Sequence, residues 1–390
     1  MAHYNGVIYG KERCMKETVT LTGCRTYKQA SVKKAIIKGL QPFGGIDSFV
    51  KSGHAVLIKP NMLSPKKPED AVTTHPAIVE SVVQLVKECS GIPFIGDSPG
   101  IGSMERVARK SAILDICKKY DVELIDLDGS KAVVIGKGSI FRHLKISAIP
   151  LDMDRVINLP KIKTHAQMVL TMGIKNLFGC VQGRGKAQWH FNAGNNRLYF
   201  ARLLIEIYKA IRPAITISDC VVAMEGNGPG AGTPKMLGLI GCGRDAVAHD
   251  AVFSTILGLN ANALPVIHAA REAGLGISDL NDIDLVAEKS LPELVLSDFE
   301  FPQTIDIMFN LPHSVQRIVR NSITSKPVID HAACTRCMKC IEICPPGIIA
   351  KTDSKIEIDH DRCISCFCCQ EICPEKAITP RPGWLSRFIS

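Results

Sequence analysis

The chain has 390 residues, of which 46% are hydrophobic and 22% are charged, and its formal net charge at pH 7 is +9. This composition excludes a disordered or collagen-like chain, and no uncharged apolar run approaches the roughly 18 residues that span a bilayer. The first twenty residues contain five charged side chains and lack the apolar core of a secretory signal. We therefore expect a soluble, cytoplasmic protein whose 16 cysteines do not form disulfides.

The first 290 residues alternate short β-branched runs with segments of helical periodicity. Strands are predicted at residues 18–21, 55–59, 94–97, 122–127, 214–218 and 237–240. Helices are predicted at residues 31–40, with Ser31 as the cap, and at 75–89, 104–120, 199–211 and 246–257. This alternation is typical of βαβ units, so the sequence predicts an α/β fold with a mostly parallel sheet and helices on both faces.

A basic segment lies in the middle of this part. Residues 155–205 contain no Asp or Glu and eight basic residues: Arg155, Lys161, Lys163, Lys175, Arg184, Lys186, Arg197 and Arg202. Several of them alternate with glycines, which let a ligand approach the backbone, and unpaired cations favour phosphate or carboxylate groups. We expect Lys161, Lys163, Lys175 and Lys186 to bind an anionic ligand. A solvated basic face is the alternative, and the scarcity of stacking aromatics argues against nucleic acid.

Candidate proton-transferring residues lie at polar turns of the sequence. Asp97 ends the third predicted strand, where it could act as a ligand or base, or cap the next helix. His75, His165 and His190 follow turn-like segments, and a histidine beside lysines can shuttle protons near neutral pH. A purely structural hydrogen-bonding role is the alternative for each. The turn at residues 225–229 could meet the basic segment across a cleft, or be an ordinary surface turn.

Nucleotide-binding motifs are not found in these segments. The glycine-rich turn at residues 96–102 does not match G-x-G-x-x-G, and the residues around Lys186 do not complete a P-loop. The sequence therefore contains no motif for flavin or nicotinamide cofactors.

Nine of the 16 cysteines lie in the last sixty residues. The pattern Cys-x2-Cys-x2-Cys-x3-Cys-Pro begins at Cys334 and recurs at Cys363, within a repeat of 29 residues. In bacterial ferredoxins such a run supplies three thiolates to one 4Fe–4S cluster, and the fourth thiolate comes from the other run. The predicted metal-binding cysteines are Cys334, Cys337, Cys340 and Cys373 for cluster 1, and Cys363, Cys366, Cys369 and Cys344 for cluster 2.

Zinc is the alternative metal, but this crossed spacing fits paired zinc ligands poorly. Cys368 is the ninth cysteine of the region. We expect it to be a free thiol beside a cluster, with a role as an alternative ligand left open.

The distribution of cysteines divides the chain into a large N-terminal part and a small cysteine-rich C-terminal part. We predict an α/β domain at residues 1–290, a proline-containing connecting segment at residues 291–325, and a small α+β domain of ferredoxin type at residues 326–390. Residues 331–390 hold eight basic and seven acidic side chains, so +8 of the net charge belongs to residues 1–330.

Six short motifs in combination resemble the family named domain of unknown function 362. They are Lys59-Pro60-Asn61, Thr74-His75-Pro76, Gly96-Asp97-Ser98-Pro99-Gly100, Pro160-Lys161-Ile162-Lys163-Thr164-His165, Gly173-Ile174-Lys175-Asn176-Leu177-Phe178-Gly179 and Glu225-Gly226-Asn227-Gly228-Pro229. The likeness spans roughly residues 18–300, and members often carry a similar C-terminal ferredoxin pair. The resemblance implies an iron–sulfur protein of anaerobic-type metabolism whose lysine and glycine motifs line its site. On this basis we add Lys59, Asn61 and Asn176 to the expected ligand-binding residues.

The leading hypothesis is an iron–sulfur redox protein in which two 4Fe–4S clusters relay electrons to or from an anionic ligand or substrate in the α/β domain. If it is an enzyme, which the sequence leaves open, it is an iron–sulfur oxidoreductase. The alternative is an electron carrier or docking subunit without small-molecule chemistry of its own. The expected partners are a redox protein and an anionic small molecule.

Overall fold

A computed structural model describes residues 16–129, 131–135, 139–141, 144–182, 186, 189–190, 193, 196–302 and 325–381. A ten-stranded sheet organises the larger part. Its strands are β1 (Glu17–Gly23), β2 (Ala55–Pro60), β3 (Ile92–Asp97), β4 (Glu123–Asp126), β7 (Arg155–Leu159), β8 (Lys161–His165), β9 (Val169–Thr171), β10 (Ile215–Glu225), β11 (Thr233–Gly243) and β12 (Ile283–Ala287). A separate antiparallel pair consists of β5 (Ala132–Ile135) and β6 (Leu144–Ser147).

The sheet has the strand order β12-β1-β11-β10-β7-β2-β3-β4, and β8 pairs with β10 and β9. Pairing is parallel between β2 and both β3 and β7, between β3 and β4, between β10 and both β7 and β8, and between β1 and β12. Antiparallel pairing in the described sheet involves β11, which lies between β1 and β10, and β9. The predicted mostly parallel sheet is therefore confirmed.

Helices cover both faces of the sheet. One hydrophobic core contains residues from α1 (Gln29–Leu40), α2 (Pro76–Glu88), α3 (Met104–Lys110) and α4 (Ile113–Tyr120). The opposite core contains residues from α6 (Gly173–Asn176), α7 (Arg197–Ile211), α8 (Ala246–Ile256) and α9 (Pro265–Glu272). Val56 and Ile58 of β2 pack in the first core and Leu57 in the second, because successive side chains of a strand point to opposite faces. The shorter helices α5 (Ile149–Asp152) and α10 (Leu291–Leu294) lie in connections.

Several elements differ from their predicted form. The helix predicted at residues 104–120 is two helices, α3 and α4, because Ala112 adopts a left-handed conformation with φ of 58°. Ser31 is not the cap of α1, since that helix begins at Gln29 and Lys28 occupies the N-cap position. The basic segment also contains β7, β8 and β9, which its charge pattern did not reveal.

Residues 325–381 form a smaller unit, named here the ferredoxin lobe. It contains β13 (Lys326–Ile329) paired with β16 (Ile378–Arg381), β14 (Ile349–Lys351) paired with β15 (Ile356–Ile358), and helices α11 (Lys339–Ile343) and α12 (Cys368–Ile372). The 29-residue sequence repeat is also a structural repeat. Arg336 and Met338 have φ of 54° and 62°, and their counterparts Ser365 and Phe367 have φ of 51° and 59°. These left-handed residues turn each cysteine loop into its short helix.

Among the described helices, none combines the length and the apolar character that crossing a bilayer requires.

Candidate functional site

Each predicted cysteine quartet surrounds a small cavity of its own in the ferredoxin lobe. One cavity is lined by Cys334, Cys337, Cys340 and Cys373, and the other by Cys344, Cys363, Cys366 and Cys369. In each quartet the fourth cysteine comes from the other half of the repeat. Cys368 lines neither of these cavities and instead lines a third, larger one.

Four cysteine sulfurs around one cavity are the donor set that a 4Fe–4S cluster requires. The amide of Ser365 donates to Cys363 Sγ at 3.4 Å, and the amide of Ala377 donates to Cys373 Sγ at 3.3 Å. Amide donors of this kind stabilise anionic cluster sulfurs. Within the described ranges no three Cys, His, Asp or Glu side chains lie close enough to hold one ion.

The larger cavity has a volume of about 470 Å³ and lies between the sheet and the ferredoxin lobe. It opens where β2, β3 and β8 end at Pro60, Asp97 and His165. Carboxyl ends of parallel strands are the usual place for ligands in open α/β sheets. We call it the lysine cavity, because its α/β wall includes Lys59, Lys163, Lys175 and Lys186.

The ferredoxin lobe forms the opposite wall of the lysine cavity. Glu371 Oε1 lies 3.1 Å from His165 Nε2, across the boundary between the lobe and the sheet. Two further contacts fasten the lobe: Gln370 Nε2 donates to the Asn227 carbonyl at 3.2 Å, and Lys66 Nζ donates to the Pro374 carbonyl at 3.3 Å. Cys344 and Cys368 of the lobe line the same cavity as the lysines.

Two buried lysines are neutralised by carboxylates. Lys59 Nζ lies 2.8 Å from Asp97 Oδ1, and Lys161 Nζ lies 2.9 Å from Asp219 Oδ2. Gly179 packs so closely on the first pair that a Cβ there would collide with both side chains. Lys161 also contacts the Tyr27 hydroxyl at 3.0 Å, and it does not line the cavity. The charges of these two lysines are therefore compensated within the fold.

Three other lysines have no carboxylate contact among the described residues. Lys163 Nζ donates to Asn61 Oδ1 at 2.9 Å and to the Val72 carbonyl at 2.6 Å, and Lys186 Nζ donates to the Ser98 carbonyl and hydroxyl. Lys175 Nζ has no hydrogen-bond acceptor in the described part of the chain and lies 4.7 Å from the centroid of the Phe178 ring. Burial lowers the pKa of Lys163 to about 7 and that of Lys175 to about 8. An anion in the cavity would compensate these cations.

The histidines of the cavity are held in defined orientations. His165 Nδ1 accepts from the amides of Gln167 and Met168, so the proton of its neutral ring is on Nε2, the atom nearest Glu371. Burial lowers the pKa of His165, and nearby Lys175 lowers it further. His190 Nδ1 lies 2.8 Å from Gln167 Oε1, and burial lowers its pKa to about 3. Both rings therefore stay neutral near pH 7.

His75 lies outside the cavity lining. It is the N-cap of α2, where its Nδ1 accepts from the Ala77 amide at 3.1 Å. Its ring stacks on Tyr27 with 3.5 Å between centroids, and burial lowers its pKa to about 4. The geometry favours the structural alternative for this histidine.

The structure brings most of the predicted site residues together. The cavity is lined by Lys59, Asn61, Asp97, Lys163, His165, Lys175, Asn176, Lys186 and His190, and by Pro229 of the turn at residues 225–229, whereas Lys161 and His75 lie elsewhere. Arg184 lies outside the described residues. Arg155 and Arg202 bond to the Phe49 carbonyl and to Glu272, away from the cavity.

Sequence reasoning missed the contributions of Thr171 and Glu371. Glu371 lies between two predicted cluster ligands, Cys369 and Cys373, so the sequence pattern drew attention to the cysteines and not to this glutamate.

Comparisons with known proteins agree with this architecture. Residues 56–255 match the family described as Domain of unknown function (DUF362), and residues 326–374 match the 4Fe-4S dicluster domain. Because the first match covers just over half of the chain, the protein belongs to the DUF362 family. Its C-terminal region is an iron–sulfur domain of the electron-transfer type.

A curated relative is Thylakoid-associated protein sll1697 of Synechocystis sp. It is 38% identical over 314 residues, which cover 79% of this chain and 94% of the relative. Among solved structures, the lactate racemase apoprotein from Thermoanaerobacterium thermosaccharolyticum aligns with a TM-score of 0.38 and 12% identity. That alignment covers 61% of this chain and 57% of the racemase.

Proposed function

We propose that this protein is an iron–sulfur redox protein that moves electrons between a partner protein and an anionic ligand or substrate in the lysine cavity. The two cysteine quartets hold two 4Fe–4S clusters, whose chemistry is reversible one-electron transfer. The main supporting observation concerns Cys344, which lines both the second quartet's cavity and the lysine cavity. The α/β domain thus binds its ligand beside a cluster ligand.

The two quartets differ in their position relative to the cavity. The second quartet is next to the lysine cavity through Cys344, and its Cys366 and Cys369 are buried. The first quartet includes the exposed Cys337. Because electron transfer is fastest over short distances, we assign the first quartet to exchange with the partner and the second to exchange with the cavity.

The anion-binding wall is fixed in place by buried hydrogen bonds. Asp250 accepts from the amides of Gly173 and Ile174 at 2.8 and 3.0 Å, which holds the turn that carries Lys175. Asn61 Nδ2 donates to Asn176 Oδ1 at 2.9 Å, so the amide oxygen of Asn61 stays directed at Lys163. A preorganised wall of this kind spends little free energy on ordering when the ligand binds.

His165 is the histidine of the cavity that contacts the ferredoxin lobe. Its neutral ring carries the proton on Nε2, beside the Glu371 carboxylate. A neutral imidazole does not release this proton near pH 7, so we assign His165 the role of positioning Glu371 at the cavity wall.

Iron and sulfide analysis of anaerobically reconstituted protein, with EPR, tests the cluster assignment. The unaltered chain is expected to hold about eight irons, the Cys344→Ser variant about four, and Cys368→Ser about eight. Cys368→Ser is the matched control, because Cys368 neighbours cluster ligands without lining either quartet's cavity. Four irons in the unaltered chain, or loss of a cluster from Cys368→Ser alone, would contradict the assignment.

Anion binding to the reconstituted protein tests the role of the cavity. We expect calorimetry to show saturable binding of benzoate that the Lys163→Met and Lys175→Met substitutions together abolish. A protein that exchanges electrons with a protein donor yet binds no anion would instead be an electron carrier or docking subunit.

A further inference from the structure

The two walls of the lysine cavity differ in chemistry. All four lysines of the lining come from the α/β domain. The ferredoxin lobe contributes the apolar side chains of Ile343, Pro345 and Ile372, together with Cys344 and Cys368. Its two acidic side chains there are Glu342, which is exposed, and Glu371, which is paired with His165. The α/β wall also includes the carboxylates of Asp97 and Asp128, which are fewer than its four lysines. A negatively charged group is therefore attracted to this wall and repelled from the other.

The cavity is too large to be filled by a small inorganic anion alone. A volume of about 470 Å³ is typical of sites for organic molecules, whereas one water molecule takes up about 30 Å³ of liquid. A phosphate ion against the lysines would leave the apolar wall facing water. Leu63, Ile101 and Phe178 extend the apolar lining from the α/β side.

We infer that the ligand is an organic anion with a compact apolar body. Its anionic group lies against Lys163, Lys175 and Lys186, and its apolar body lies against Ile343, Pro345 and Ile372, next to Cys344. This inference rests on the proposed function, because it specifies the substrate class of the same cavity. Carboxylates and phosphate monoesters share the required head-group chemistry, and the experiment below separates them.

Calorimetry on the full, cluster-reconstituted chain, oxidised and at pH 6.5, tests the inference with four probes. Benzoate and phenyl phosphate carry an apolar body and an anionic group, inorganic phosphate lacks the body, and benzyl alcohol lacks the charge. At least one phenyl-bearing anion is expected to bind about tenfold more tightly than inorganic phosphate, because it also buries apolar area. Benzyl alcohol is expected to bind more weakly than that anion. The tighter of benzoate and phenyl phosphate identifies the head group.

Two substitutions should distinguish the contributions of the two walls to binding. Lys175→Met is expected to weaken binding of the phenyl-bearing anion and of inorganic phosphate by about 10- to 100-fold, since it removes a charge-assisted hydrogen bond. Ile372→Ala is expected to weaken binding of the phenyl-bearing anion about fivefold and to leave inorganic phosphate unchanged. Ile341→Ala is the matched control, because Ile341 packs on the same lobe core as Ile372 without lining the cavity. Iron content must be equal in all variants compared.

The outcomes distinguish this inference from the proposed function. The inference that the ligand has an apolar body would be wrong if inorganic phosphate bound as tightly as both phenyl-bearing anions. It would also be wrong if Ile372→Ala and Ile341→Ala had equal effects. In either case the proposed anion site would still be supported. Benzyl alcohol binding as tightly as the anions would overturn the charged head group. If neither the phenyl-bearing anions nor inorganic phosphate bind saturably, the anion-binding part of the proposed function fails as well.

Discussion

Lys161 and Lys163 lie two residues apart on β8, and both are almost completely buried. Lys161 reaches Asp219 of β10 and forms a short ion pair, together with the Tyr27 hydroxyl. Among the described residues, Lys163 contacts only neutral oxygen atoms, and it lines the lysine cavity. The charge of Lys161 is therefore compensated within the fold, whereas that of Lys163 has no carboxylate contact there.

This difference is the basis of our proposal that the cavity lysines without a nearby carboxylate bind the ligand. A charge taken out of water is costly unless another charge compensates it. In the Asp219 region the compensation is built into the fold. In the cavity region, we propose that the ligand supplies it. Burial lowers the pKa values of Lys163 and Lys175 there.

Removing the carboxylate of the structural region should have the largest effect. Asp219→Asn leaves Lys161 buried without a partner charge and is expected to lower the free energy of unfolding by about 3–5 kcal/mol. Urea denaturation measures the loss. Glu272→Gln is the control, because it removes a partner of the exposed Arg202–Glu272 pair and should cost less than about 1 kcal/mol. A comparably small loss for Asp219→Asn would show that this pair is not structural.

The pH dependence of anion binding tests whether the cavity lysines supply the charge that binds the ligand. Lys163 is cationic below its pKa of about 7 and Lys175 below about 8, so the affinity for benzoate should fall as the pH rises from 6 to 9. Glu371 and Asp97 raise the pKa of Lys163, while Lys161 and Lys175 lower it. We expect a decrease of about tenfold per pH unit once a required lysine is neutral. Benzoate stays ionised throughout this range.

Calorimetry of oxidised protein measures this profile. Lys163→Met should bind benzoate more weakly at pH 6 and should delay the decrease to near pH 8, where Lys175 loses its proton. An affinity that stays constant up to pH 9 would mean that these lysines do not supply the binding charge.

The smallest expected effect concerns His75. His75→Ala removes both the N-cap of α2 and the ring that stacks on Tyr27, and it should lower the free energy of unfolding by about 2 kcal/mol without changing benzoate affinity. His75→Asn should restore about half of this loss, because asparagine is a favourable N-cap but does not replace the stacked ring. Thermal denaturation and calorimetry measure the two quantities. If His75→Ala bound benzoate more weakly, His75 would have a role in ligand binding after all.

Much of the fold could be read from local patterns. The 29-residue repeat predicted the two halves of the ferredoxin lobe, because its spacing repeats the same turns and short helices. Alternating β-branched and helical segments predicted the parallel sheet. Helix boundaries were less accurate, as the break at Ala112 shows, since one left-handed residue interrupts a continuous apolar periodicity.

The sequence by itself determined which residue types are available: eight cysteines in crossed ferredoxin spacing and a lysine-rich segment without acids. Only the tertiary structure decided which lysines keep an uncompensated charge. Asp219 and Asp97 lie 58 and 38 residues from the lysines that they neutralise, and no local pattern encodes such pairing. The structure also placed Cys344 and Glu371 of the ferredoxin lobe against the α/β domain. Contacts of this kind arise from packing between distant segments, whereas spacing along the chain specifies only neighbouring turns.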